Sequence, residues 1–221
     1  MVSARWLSYL WPVRVAQGTG AHGLLELTWE NGRLVVNSDQ ANQSHGALHR
    51  VWQRVLAEAE GPVREAGSVL LLGLGTGSVV HILRQELGLD TPITALEDDP
   101  LMIQWGREHF GLDKVEALRV VQGDALSGLE GLHATYDLVV VDVFEDLDIP
   151  PGWENGEAVN AVMQRTSPGG LVLWNTISRN PEQAGRIAGL RGQLRTWSAE
   201  CREMHMERIN TVFMVRRHSG R

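Results

Sequence analysis

The stretch Ser68-Val69-Leu70-Leu71-Leu72-Gly73-Leu74-Gly75-Thr76-Gly77-Ser78 decides the architecture of the chain. From Ser68 to Leu72 it is a short apolar run without polar alternation, the pattern of a strand buried on both faces of a parallel sheet. The glycines that follow stop the strand. Lacking side chains, they let a ligand approach the backbone and the amides of a helix that begins at Ser78. A glycine triplet alone also suits a plain strand-to-helix turn; the flanking strand and helix favour the ligand-binding interpretation.

Outward from this turn the same alternation repeats. A helix from Ser78 to Leu87, a strand from Ile93 to Leu96, a helix from Pro100 to His109 and a strand from Leu118 to Gln122 follow in order. Next come a strand from Tyr136 to Val141, a helix near Asn155 to Arg165, a Pro168-Gly169-Gly170 turn and a strand from Leu171 to Asn175. Such βαβ alternation predicts an α/β, Rossmann-like, doubly wound and mostly parallel sheet. A helical stretch near Pro181 to Arg195 then leads to two strands, around Cys201 to Met204 and Asn210 to Val215, expected to close the sheet in antiparallel fashion. Upstream, Leu24 to Ser38 carries two β-prone runs around Asn31-Gly32, a strong hairpin signal. From His45 to about Glu60, Leu48, Val51, Trp52, Val55 and Leu56 recur at helical spacing, with Ser44 placed as the cap and Gly61-Pro62 as the stop. Two parts are expected: a hairpin and entrance helix over 1–62, and a Rossmann-like nucleoside-binding domain over 63–221.

Composition narrows the function classes. A formal charge of −7 argues against a surface that tracks phosphates, so no nucleic-acid partner is expected. Cys201 is the single cysteine, which rules out an intrachain disulfide and cysteine-paired zinc spacings and fits a reducing cytoplasm. The histidines show no metal-ligand spacing, and no metal is expected. The apolar patch ending at Trp11 is cut by Pro12 and Arg14 before it reaches membrane-spanning length, so no membrane partner is expected either.

Candidate site residues stand at successive strand ends. Glu97 lies 20 residues past Gly77, where Rossmann domains set a carboxylate against ribose hydroxyls, although Asp99-Pro100 beside it also reads as a helix cap. Asp124-Ala125 ends the third strand; the acid can accept from an adenine amino group or cap the next helix. Asp142 opens the loop Asp142-Val143-Phe144-Glu145-Asp146 after the fourth strand. Partly withdrawn from water, it suits a general base or a cation ligand, with loop ordering as the structural alternative. Asp146 and Asp148 read as a solvated acidic edge, Glu145 as an acid facing the site or part of that edge. His45 opens the entrance helix and looks toward the crevice only if that helix does, while Trp52 and Trp105 read as core packing.

With these residues in place, the chain resembles the spermidine synthase (polyamine aminopropyltransferase) family, within the class I S-adenosylmethionine-dependent methyltransferase fold, over roughly Leu24 to Asn175. The resemblance implies a site for S-adenosylmethionine or its decarboxylated form, a small acceptor such as an amine, and a dimer. It places Gly73, Gly75, Thr76, Gly77, Glu97, Asp124, Ala125 and His45 at the donor, and Asp142 and Glu145 at the chemistry. Thr76 stands where the family has an acid that meets the amine of the aminopropyl group. Ser44-His45-Gly46 keeps only the histidine of a Tyr-His-Glu stretch, and the acidic loop keeps Asp142 and a charge at Glu145 without the family's polar middle and proline. The expected activity is alkyl transfer, with methyl and aminopropyl both open. A non-catalytic nucleoside-binding protein and an NAD-dependent oxidoreductase are the rival classes, the latter disfavoured by Gly123-Asp124-Ala125 and the hairpin-helix entrance.

Overall fold

The computed structural model describes residues 4–38, 42–44, 47–145, 147–198, 200–206 and 209–218. A short helix α1 (Ala4–Leu7) leads into a four-stranded antiparallel sheet of β1 (Val13–Gly20), β2 (Gly23–Glu30), β3 (Arg33–Ser38) and β4 (Asn42–Ser44). The expected hairpin is β2–β3. Asn31 and Gly32 both take positive φ, 48° and 76°, as a two-residue turn between right-twisted strands requires. Strand β1 extends that hairpin, pairing with β2 from Val13↔Trp29 to Gly20↔Gly23.

Helix α2 (Ala47–Glu58) is the expected entrance helix, but Gly61-Pro62 does not end the helical path. Both residues lie in the first turn of a second short helix, α3 (Glu60–Glu65), where an amide has no intrahelical partner to lose and proline is tolerated.

The main sheet begins at β5 (Val69–Leu72). Its odd and even residues serve two different cores: Val69 and Leu71 pack with α2, Leu70 and Leu72 with the helices of the other face. That two-sided burial is why the run is uniformly apolar. After the glycine turn, α4 (Ser78–His81) continues into a wider helical turn over Ile82–Glu86, where the Leu87 amide reaches back five residues to the Ile82 carbonyl at 2.9 Å. Then follow β6 (Ile93–Glu97), α5 (Pro100–Phe110), β7 (Leu118–Gln122), α6 (Ala125–Glu130), β8 (Tyr136–Val141), α7 (Gly156–Gln164), β9 (Thr166–Ile177), α8 (Pro181–Trp197), β10 (Cys201–Met206) and β11 (Asn210–Arg216). The seven strands lie in the order β10-β11-β9-β8-β5-β6-β7.

Strands β5 to β9 are parallel. β11 runs against β9, and β10 runs against β11. Only β11 is therefore reversed: of the two closing strands, β10 points the same way as the parallel set and takes the edge. A second difference concerns Pro168-Gly169-Gly170, which is an irregularity inside β9 and not a turn before it. Tyr136 pairs with Thr166 and Leu138 with Leu171, so extra residues on β9 are looped out while the ladder resumes. The chain leaves β5 on one side to β6 and returns on the other at β8, which puts the topological switch, and the crevice it opens, at the carboxyl end of β5.

Candidate active site

Register brings the candidate residues to one edge. Leu72 pairs with Leu96 on one side and Val141 on the other, so Gly73, Glu97 and Asp142 leave the sheet side by side. Gly73 has φ +85°, and a side chain there would collide with the Asp142 carbonyl; its absence lets the β5 and β8 ends close up. Gly77 has φ +97° and starts α4 hard against Leu112, so its role is packing behind the loop. An open cavity lies over this edge. Gly73, Gly75, Thr76, Glu97, Asp124, Ala125, Asp142 and Glu145 all line it, while Gly77 does not. His45 lies outside the described residues.

Glu97 is buried at the end of β6, and its oxygens are already engaged. Oε2 accepts from the amides of Leu74 at 2.9 Å and Gly75 at 2.7 Å, and Oε1 from the Asp99 amide at 3.1 Å. Burial pushes its carboxyl up to about 7 in spite of those donors. Of the four lone-pair positions three are taken, which leaves one on Oε1 for an incoming hydroxyl. Asp99 caps α5, accepting from Leu101 at 2.8 Å through Oδ1, and its Oδ2 takes the Ala21 amide at 3.0 Å from the tip of β1–β2.

Asp124 realises the capping alternative: Oδ1 accepts from the Ser127 amide at 2.8 Å at the start of α6. Partial burial pushes its carboxyl up, but the Ser127 amide and hydroxyl and the amides of Leu126 and Ala125 outweigh this and hold it below the usual value. Its place on the cavity wall keeps it available to a ligand at the same time. Leu96, Met102, Ala125 and Trp153 give that wall an apolar side.

Asp142 is half-buried and held from two directions. Trp52 donates through Nε1 to Oδ2 at 2.7 Å, and Asn175 through Nδ2 to Oδ1 at 2.9 Å. Burial pushes its carboxyl up to about 6, against the pull of both donors. At neutral pH it is ionised yet basic enough to take a proton, as a general base should be. Glu145 is exposed and its backbone bridges to Asp148. Asp148 turns away from the cavity and pairs with Gln183 at 2.9 Å and Arg186 at 2.7 Å, so it is an ion-pair partner of α8 and not a free acid. Asp146 lies outside the described residues.

Three contributors went unseen in the sequence. Trp52 is fully buried, as core packing predicts, but its indole N–H is spent on Asp142. Asn175 lies one step past the last β8–β9 pair, Val141↔Trp174, and so beside Asp142. His22, at the β1–β2 tip, reaches Asp98 at 2.7 Å and approaches Glu145 at 3.9 Å. Burial would lower its pKa; the Asp98 hydrogen bond and the charges of Asp98, Glu145 and Asp99 overcome that and raise it. The described lining residues include the acids Glu97, Asp98, Asp99, Asp124, Asp142 and Glu145 and one histidine, His22, with no lysine or arginine, an environment suited to a cation.

Among the described residues, no group of three or more histidine, cysteine, aspartate or glutamate side chains could hold a metal ion, and no helix is long and apolar enough to cross a membrane.

No family model matches the chain. A probable polyamine aminopropyl transferase of Bifidobacterium longum is 31% identical over 110 residues, which cover 50% of this chain and 24% of that protein. The chain thus spans about a quarter of that relative's length. In structure, a probable spermidine synthase from Corynebacterium glutamicum matches with a TM-score of 0.71 at 18% identity, over 91% of this chain and 80% of the other. Human methyltransferase-like protein 13, solved with S-adenosylhomocysteine, matches with a TM-score of 0.63 at 18% identity, over 80% and 85%. The sheet order, the amino-terminal antiparallel sheet and these likenesses together identify the chain's architecture as the spermidine-synthase-like form of the class I S-adenosylmethionine-dependent methyltransferase fold.

Proposed function

We propose that the protein is an S-adenosylmethionine-dependent alkyltransferase acting on a small cationic acceptor. The observation that carries this is the convergence on one cavity of the glycine turn, Glu97, Asp124 and an Asp142 carboxylate held by Trp52 and Asn175. The residues fit an adenosyl group: the free lone pair of Glu97 suits a ribose hydroxyl, and Asp124 suits an exocyclic amine beside the apolar wall of Leu96, Met102 and Trp153. A bound sulfonium donor supplies an electrophilic carbon and a good thioether leaving group. The chain's own part is to align a nucleophile with that carbon, exclude water and accept the proton that a protonated acceptor nitrogen gives up before its lone pair forms the new bond to carbon and the carbon–sulfur bond breaks. Asp142 takes that proton. The acids around the cavity concentrate a cationic acceptor, and no lysine or arginine stands among the described lining residues to hold a phosphate.

Methyl transfer is favoured over aminopropyl transfer by Thr76. Fully buried in the cavity wall, it carries no charge at a place where the ammonium of an aminopropyl group would call for a carboxylate. Calorimetry with S-adenosylmethionine, its decarboxylated form, methylthioadenosine and NAD tests the proposal. Binding of either sulfonium donor, followed by turnover with small amines, supports it. Tighter binding of NAD than of both donors overturns it, and donor binding without turnover across acceptors leaves a nucleoside-binding protein in its place.

A further inference from the structure

Behind Asp142 lies a second amide. Asn175 is 2% exposed, donates to Asp142 through Nδ2, and accepts through Oδ1 from Asn210 Nδ2 at 3.1 Å. Asn175 stands on β9 opposite Val212, and Asn210 opposite Ile177, so the two are diagonal neighbours on one face of the β9–β11 pair. Asn210 is itself buried. Buried amides placed this close must be matched donor to acceptor, because an unmatched pair costs far more than a matched one gains. With its oxygen occupied by Asn210, Asn175 can present only its N–H to the carboxylate.

We propose that Asn175, locked by Asn210, is a positioning residue that aims the Asp142 carboxylate into the cavity and fixes which of its lone pairs meet the acceptor. Trp52 takes one position on Oδ2 and Asn175 one on Oδ1, so the carboxylate is pinned at both oxygens and cannot rotate about its last bond. The remaining lone pair on each oxygen is free for the acceptor's proton. The chain of contact runs Asn210 to Asn175 to Asp142 across β11, β9 and β8, three adjacent strands of the sheet. Rigid strands, and not the loop after β8, thereby set the direction of the base. The inference rests on Asp142 acting as the base, but its physical content, control of the carboxylate, can be read without turnover.

The test is carboxyl carbon NMR of aspartate-labelled protein, with the Asp142 signal assigned by its loss in Asp142→Asn, combined with the pH dependence of transfer. In Asn175→Leu the Asp142 titration should move upward by about one pH unit, since a donor to the charged form is gone. Transfer at pH 7 should fall by about tenfold, about twofold of it through the lost ionised fraction, which higher pH recovers, and the rest through the lost aim of the carboxylate, which higher pH does not, with donor affinity within about twofold. Asn210→Leu frees Asn175 to turn and should give a smaller shift in the same direction, and Asn210→Ser, which keeps a donor, should restore much of the wild-type profile. An unmoved Asp142 titration in a folded Asn175→Leu overturns the inference; should that variant not fold, an unmoved titration in Asn210→Leu does so. Undiminished transfer in Asp142→Asn, with the titration still shifted in Asn175→Leu, removes Asp142 as the base and leaves its control by Asn175 standing.

Discussion

Glu97 and Gly75 are joined by a 2.7 Å hydrogen bond from the turn's amide to the carboxylate, which makes the acid at the end of β6 a clamp on the glycine turn as well as the proposed partner of a ribose. Glu97→Ala should therefore do two things. Donor affinity should drop by roughly 1 to 3 kcal/mol, the worth of a lost buried acceptor, and the Leu74 and Gly75 amides should exchange with solvent faster. Calorimetry and hydrogen exchange separate the two: faster exchange with unchanged affinity would confine Glu97 to the turn. Asp124→Ala should weaken donor binding as well and cost about 1 kcal/mol of stability through the lost cap of α6.

Stability should carry the mark of Glu97 as pH changes. In the folded protein its proton is held up to about 7, whereas in the unfolded chain it leaves near 4.5. The folded state binds the extra proton between these values, so the stabilisation from this group is fully present below about 4.5 and is lost as pH rises through 7. Urea unfolding of wild type and Glu97→Gln should accordingly diverge across that window, the variant gaining on wild type by an amount on the order of 3 kcal/mol. Parallel curves would mean that Glu97 titrates like an ordinary carboxyl.

Asp142→Asn keeps the size of the side chain and removes the proton acceptor, at the cost of setting an NH2 against one of the two donors, Trp52 Nε1 or Asn175 Nδ2. Transfer should slow by about 10²-fold or more with donor affinity little changed. The wild-type rate should climb as pH rises through about 6, where the carboxyl ionises, and then level off. A variant that melts, or that no longer binds the nucleoside, would show instead that Asp142 orders the loop after β8.

At Thr76 the expected outcome depends on the ligand. Thr76→Asp puts a charge at a fully buried position and should lower the melting temperature of the free protein. An ammonium at the end of the donor's side chain would offset that charge, whereas the carboxylate of S-adenosylmethionine would be repelled. The decarboxylated donor should therefore raise the variant's melting temperature more than it raises that of wild type, and its relative affinity should rise by about tenfold or more. A wild-type protein that already prefers the decarboxylated form tenfold would contradict this assignment of Thr76.

The strand-turn-helix at β5 was legible because parallel strands covered on both faces leave an uninterrupted apolar signature, and β8 and the Leu171 to Trp174 part of β9 repeat it, whereas the edge strand β7 interrupts it with exposed Arg119 and Gln122. Strand β1 left no such trace. Val13 to Gly20 contains Gln17, Gly18 and Gly20, poor strand formers, and owes its conformation to pairing with β2 and to docking on α5, where Gly18 sits against Leu101 and Trp105. Pro168-Gly169-Gly170 carries the local chemistry of a turn, and the ladder between β8 and β9 overrides it. In the site, the acids at strand ends announced themselves by position. Their partners did not: Asn175 and Asn210 become neighbours only through the β9–β11 register, and an apolar helical stripe disguises the donor on Trp52.

The tip of β1–β2 delivers Ala21 to Asp99 and His22 to Asp98, and Gly20 lies so close to Asp99 that any side chain there would strike it. Two segments more than seventy residues apart in the chain are thus fitted to each other as a mortise and tenon over the ligand crevice. Transplanting the post-β6 loop from a related protein to retune the crevice would leave the hairpin without its seat, and trimming the hairpin would unroof one side of the crevice. Any redesign of what the crevice selects has to exchange the two segments as a matched set.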